Sequence, residues 1–197
     1  LVHFGSGLFQ KVITGALQKS ELSGVSQMHP ELEAGDVLLG DRAFSSYGHV
    51  ALLMVRSLHG IFRARATLIV DFTPGRPHAI PGKGKAGCQP GRPRSKWISN
   101  AGPLDQTVEW FRPVEVPAWL TAEDWTALPA TLRIRVLRYT IARPGFRVHM
   151  VTLLTTLLDP ECYPQEKLAE AYGLRWTVET CLKHLKTTMK MDVLRCL

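Results

Sequence analysis

Asp36-Val37-Leu38-Leu39-Gly40-Asp41, followed by Ser45-Ser46-Tyr47-Gly48-His49-Val50-Ala51-Leu52-Leu53-Met54-Val55-Arg56-Ser57-Leu58-His59 and then Ile61-Phe62-Arg63-Ala64-Arg65-Ala66, is the stretch on which the fold turns. A short apolar run bounded by Gly35 and Gly40 reads as a buried parallel strand. Ser45 or Ser46 suits the cap of a helix whose Val50, Leu53, Met54 and Leu58 form an apolar stripe. Gly60 is expected to end that helix, and Ile61–Ala66 reads as the next strand. Strand, helix, strand in this order implies a parallel crossover, the unit of an α/β fold.

Outward from this unit, Leu8–Leu17 has strand composition, and residues 20–34 suit a helix interrupted near Pro30. Residues 73–103 are rich in Gly, Pro, Lys and Arg, which suits loop rather than core. Strand character returns at Thr107–Phe111 and at Leu132–Ala142, where basic and apolar side chains alternate as in a strand with a basic outer face. Arg147–Leu158 is a β-branched apolar run fit for a core strand, and a long helix is expected from Pro164 to Met189. The organisation expected is a core at 1–66, a β-rich insertion at 67–145 and a return to the core at 146–197.

The chain has 197 residues, 24 Lys and Arg against 17 Asp and Glu, and a net charge of +7, a balance that favours a polyanionic partner. Its four cysteines show no CxxC pair, which argues against a zinc site or disulfide framework and suits a reducing cytosol. No apolar run approaches the roughly 18–20 residues of a membrane span. No glycine-rich phosphate loop or dinucleotide fingerprint is present either. His29, His49, His59 and His149 have no ligand spacing and read as structural. The start at Leu1, without Met or signal peptide, reads as a fragment.

The chemistry concentrates on the last helix. Tyr172, Arg175, Glu179 and Lys186 fall within an arc of roughly 60° at about 100° per residue. Ala171, Leu174, Val178, Leu182, Leu185 and Met189 take the adjoining arc toward the core. A carboxylate for a metal, two cations for phosphate oxygens and a phenol are what a phosphodiester site needs.

Tyr172-x2-Arg175-x3-Glu179-x6-Lys186 resembles the signature of the IS-four insertion-sequence family of transposases, which belong to the DDE class. Leu157-Leu158-Asp159-Pro160, Ala171–Glu179 and Leu185–Met189 are similar to that family as well, and Gly35–Phe44 resembles the segment carrying its second catalytic Asp. The resemblance runs through most of residues 8–197 and is weakest at 73–100. It implies an RNase H-like mixed sheet flanked by helices, with a β-rich insertion before the last catalytic helix. It also implies cut-and-paste DNA transposition, with Asp41 and Glu179 as metal-binding catalytic carboxylates and two Mg²⁺ ions as cofactors. Arg175 and Lys186 would neutralise phosphate, Tyr172 would position the DNA end, and Trp110, ahead of Trp97 and Trp125, would support a flipped base. The partners implied are transposon-end DNA, target DNA and a second copy of the protein on DNA.

The family's first catalytic Asp has no counterpart. The one Asp before Asp41 is Asp36, at the other end of the same strand and more than about 15 Å away. The chain is therefore expected to be inactive alone. A non-catalytic remnant that binds DNA or a partner transposase, and an RNase H-like nuclease without transposition, share most of these motifs.

Overall fold

The computed structural model describes residues 1–3, 5–7, 10–11, 21–79, 91–141, 149–175 and 187. Of the expected strand at 8–17 only residues 10 and 11 are described, neither of them in a strand, and the signature residues Glu179 and Lys186 lie outside the described residues. Helix α1 (Glu21–Val25) runs into a 3-10 segment at Ser26–Glu31 that holds Pro30, the interruption expected there.

The α/β unit forms as read. Strand β1 (Val37–Gly40) leads into helix α2 (Tyr47–Val55), capped by Ser46, and strand β2 (His59–Arg63) lies parallel to β1. Gly60 does not end the helix. The chain leaves α2 by a Schellman turn, with Leu58 N–H donating to Leu53 O at 2.9 Å and Ser57 N–H to Met54 O at 3.0 Å. Ser57, at φ 57°, takes the left-handed position that glycine usually fills. Gly60 sits inside β2 because a Cβ there would come within 2.2 Å of the fully buried Phe62 ring.

The rest of the sheet is antiparallel. Strands β3 (Ser95–Gly102), β4 (Asp105–Phe111), β5 (Thr131–Ile141) and β6 (His149–Thr155) complete one six-stranded mixed sheet in the order β1-β2-β6-β5-β4-β3. The composition at 73–103 hides β3: Ser95–Gly102 pairs with β4 through two register irregularities rather than running as loop. Gly and Pro cluster ahead of it, while Trp97 and Ile98 supply its strand character. Strands β3–β5 do not form a separate sheet, because β5 pairs with β6 and β6 pairs with β2.

Each face of the sheet has its own core. On one, α2 and helix α3 (Ala122–Ala127) pack against Phe62, Val108, Trp110, Ile134, Val136 and Leu154. On the other, Leu168 and Tyr172 of helix α4 (Gln165–Gly173) pack against Ile61, Leu137, Val151 and Leu153. Pro164 is the N-cap of α4, and Arg175 and Thr187 beyond it are helical.

Strand β5 corrects the expected basic outer face. Arg133 is exposed, but Arg135 is only 1% exposed. Both oxygens of buried Asp105 accept from its guanidinium, and Arg135 Nη1 donates to Tyr163 O at 2.7 Å. The segment between β6 and α4 folds back over this arginine, so alternation along the strand predicts the face but not its burial.

Candidate active site at one end of the sheet

Asp41 follows directly on β1, at the carboxyl end where ligand sites of parallel strands gather. Its backbone is still extended, at φ −79° and ψ −171°. Register then fixes its side. Leu39 pairs with Ile61 and Gly40 with Phe62, so Asp41 and Arg63 continue the face of Leu39 and Ile61, the face that α4 covers.

The turn that carries Asp41 is pinned on every carbonyl. Asp41 Oδ1 accepts from Ala43 N at 2.8 Å, and Asp41 O accepts from Phe44 N at 3.2 Å. Arg65 donates to Arg42 O at 3.3 Å and to Ala43 O at 2.7 Å, while Ser45 Oγ adds a bond to Arg42 O at 3.0 Å. Phe44 O accepts from His49 Nδ1 at 2.8 Å. The capping use of Asp41 is thus real and consumes one oxygen. Among the described residues the other carboxylate oxygen accepts no hydrogen bond. Arg42 itself is exposed.

His49 extends the pinning into the core. A carbonyl only accepts, so Nδ1 of His49 carries its proton, and Nε2 must accept from Nε2 of His29 at 3.1 Å. Both rings are buried and neutral. Burial and the charge of His49 hold His29 down at about 4, and burial holds His49 at about 4 against the pull of the Phe44 carbonyl. A histidine depressed in the fold stabilises it fully above the ordinary value near 6.5, and that stability is lost as pH falls toward 4. Treating the pair as one coupled unit, unfolding by urea at pH 5 should need on the order of 2 kcal/mol less than at pH 7. His49→Gln should flatten that dependence, and an unchanged pH profile in this variant would show that the pair is not its source.

Across from Asp41 lies α4. Tyr172 is 5% exposed, and the Arg175 guanidinium stands over its ring at 5.6 Å. Burial pushes the Tyr172 phenol up, while Arg175, which also hydrogen-bonds it, and Arg63 pull it down; the Asp41 carboxylate adds an upward push. The Tyr139 phenol on β5 is likewise raised, first by burial and then by Tyr172, with Arg63 opposing. One end of the sheet therefore gathers Asp41, Tyr172 and Arg175, all singled out in the sequence, with Arg63 and Tyr139, which were not. Arg63 looks like an ordinary strand-end arginine in isolation. Only the β1–β2 register aligns it with Asp41.

Trp110 lies elsewhere. It is 6% exposed, on the opposite face, edge-on to Tyr47 at 5.1 Å. Its edge reaches a cleft of about 370 Å³ lined also by Arg65, Arg92, Arg94 and Trp125. Trp125 is buried against the same tyrosine at 5.8 Å, whereas Trp97 sits on β3 with its indole N–H on Asn100 Oδ1 at 2.6 Å.

Asp41 offers the hard oxygen donor that a divalent cation such as Mg²⁺ prefers, and the donor type fits the expected metal. Among the described residues no group of three metal-binding side chains forms. Phenol and guanidinium groups beside that carboxylate are suited to fixing a phosphodiester by charge-assisted hydrogen bonds.

A mixed sheet flanked by helices, with its charged side chains collected beyond the ends of β1 and β2, is the layout of an RNase H-like α/β domain. The particular family follows from comparison: the model described as the transposase DDE domain matches residues 1–197, and the chain belongs to that family. Proteins of this family act on DNA and use divalent metals. No curated protein matches the chain significantly. No helix among the described residues is long and apolar enough to cross a membrane.

Proposed function

We propose that the chain is part of a cut-and-paste transposase of the IS-four type, performing metal-dependent DNA cleavage and strand transfer. Asp41 and Glu179 are two of the three carboxylates that hold Mg²⁺ in this reading. The observation that carries it is the meeting of Asp41, Tyr172 and Arg175, distant in sequence, at one end of the sheet. Arg175 and Lys186 hold phosphate oxygens, and Tyr172 orients the DNA end through its hydroxyl. Because Trp110 is largely enclosed, it can offer DNA only an edge, through the cleft beside Arg92 and Arg94.

A divalent ion bound at such a site supplies polarisation of the phosphate and a more acidic attacking water or hydroxyl. The chain's own residues supply orientation. The pinned turn keeps the Asp41 carboxylate from swinging, and Arg175 offsets phosphate charge. Residues 1–66 and 146–197 are the catalytic core in this reading, with 67–145 as the insertion. The partners are transposon ends, target DNA and a second copy on DNA, in the cytosol.

Two carboxylates are an incomplete donor set for two ions. Residues 1–197 alone should therefore leave supercoiled plasmid or cognate transposon ends intact in Mg²⁺. Nicking that disappears in Glu179→Gln would overturn the incompleteness and leave Glu179 essential. Nicking that persists in Glu179→Gln would remove Glu179 from the chemistry.

A further inference from the structure

Gln106 on β4 is only 1% exposed, and its side-chain amide is half committed. Nε2 donates to Asp71 O at 3.0 Å, a carbonyl that can only accept, so the orientation of the amide is fixed. Its Oε1 is buried and accepts no hydrogen bond among the described residues. Arg76, 5% exposed, stands beside it, because its Nε donates to the same Asp71 O at 2.6 Å. Arg76 Nη1 donates to Ser95 O at 2.7 Å and Nη2 to Ser95 Oγ at 3.0 Å. Each Nη carries a second N–H, which has no acceptor among the described residues. Gln106, Arg76 and Ser95 line one cavity of about 10 Å³, walled otherwise by apolar side chains that include Val108, Ile134 and Val136. That is about the room one water molecule needs.

The chemistry of the lining selects the occupant. Gln106 Oε1 calls for a donor and repels an anion, while the Arg76 guanidinium calls for an acceptor and repels a cation. A halide or an ammonium ion meets one favourable partner and one unfavourable. Water donates to the amide oxygen and accepts from the guanidinium at once, and the Ser95 hydroxyl can add a third bond. We propose that this cavity binds a single structural water, held by Gln106 Oε1, the Arg76 guanidinium and Ser95. The water completes a joint that fastens the chain leaving β2, at Asp71 and Arg76, to strands β3 and β4. Leu68, Ile69 and Trp110 line both this cavity and the larger cleft, so the joint backs one wall of that cleft.

The test is NMR on the whole chain in solution. The methyl protons of Val108, Ile134 and Val136 do not exchange with solvent, and these side chains are buried. They should show nuclear Overhauser cross-peaks to water with the sign of a long-lived contact, and their absence would overturn the proposal. Gln106→Leu removes the acceptor and fills the space. In that variant the cross-peaks should vanish, and magnetic relaxation dispersion of the water signal should count one long-lived water fewer per molecule than in the wild type. An unchanged count in a folded variant would overturn the assignment, and if the variant does not fold the wild-type cross-peaks decide alone. Cross-peaks that weaken as chloride is raised, with broadening of the chloride line, would put a halide in the cavity and overturn the choice of water.

Discussion

Arg135→Met should cost about 3–5 kcal/mol of folding stability, read as a lowered urea midpoint. The guanidinium is 1% exposed and holds Asp105, itself 4% exposed, by two hydrogen bonds. Removing it strands a carboxylate in a place where water cannot reach it, and the uncompensated charge sets the size of the loss. A second consequence reaches the site. Arg135 also donates to Tyr163 O, one residue before the N-cap of α4, so the same substitution releases the segment that delivers Tyr172 and Arg175. Adding Asp105→Leu should recover most of the stability, because two apolar side chains replace a buried pair at little net cost. It should not recover the hold on Tyr163. A single-variant loss below about 1 kcal/mol would mean that the pair is not buried as described.

The same contrast between local and distant information explains what the sequence revealed. The β1–α2–β2 unit was legible because its cues are local: a short apolar run, a Ser cap, a helical stripe. The position of Asp41 directly at the end of a strand was legible for a related reason. The boundary of α2 was misread because a Schellman turn closed by Ser57 needs no glycine, and Gly60 serves Phe62 instead. Strand β3 was hidden by the Gly, Pro and basic composition around it, although its pairing with β4 is made by the residues from Ser95 onward. Arg135 and Arg63 were illegible for one physical reason. Alternation along a strand tells which face a side chain takes, while the cover on that face comes from chain far away. For Arg135 that cover is the segment before α4, and for Arg63 it is the face on which α4 packs. His29 and His49 read as structural and are so, but their mutual bond across 20 residues left no spacing to recognise.

The second large effect concerns the carboxylates. Asp41 sits on a turn fixed by Ala43 N, Arg65, Ser45 and His49, with one oxygen uncommitted among the described residues. A carboxylate held this way has already lost its rotational freedom before a cation arrives, so the affinity of the site should depend on it steeply. Asp41→Asn keeps the shape and can still accept from Ala43 N, but removes the negative charge. Metal retention should fall by at least about tenfold, whereas removal of a nearby cation should not lower it, because like charges repel. Glu179→Gln should do the same if both carboxylates share the site.

The measurement that tests this most directly is cleavage of the chain by bound iron. With hydrogen peroxide and ascorbate added, Fe²⁺ placed in a Mg²⁺ site is oxidised to Fe³⁺ as it splits the peroxide into hydroxide and a hydroxyl radical that cuts the nearest backbone. Ascorbate returns the iron to Fe²⁺, and the cuts can be read by mass spectrometry without any DNA or turnover. Cuts should fall beside Asp41 and beside Glu179, be suppressed by excess Mg²⁺, and vanish together in Asp41→Asn and in Glu179→Gln. Cuts elsewhere, or cuts at these positions that survive both substitutions, would contradict a shared metal site and with it the proposed catalytic role of the chain.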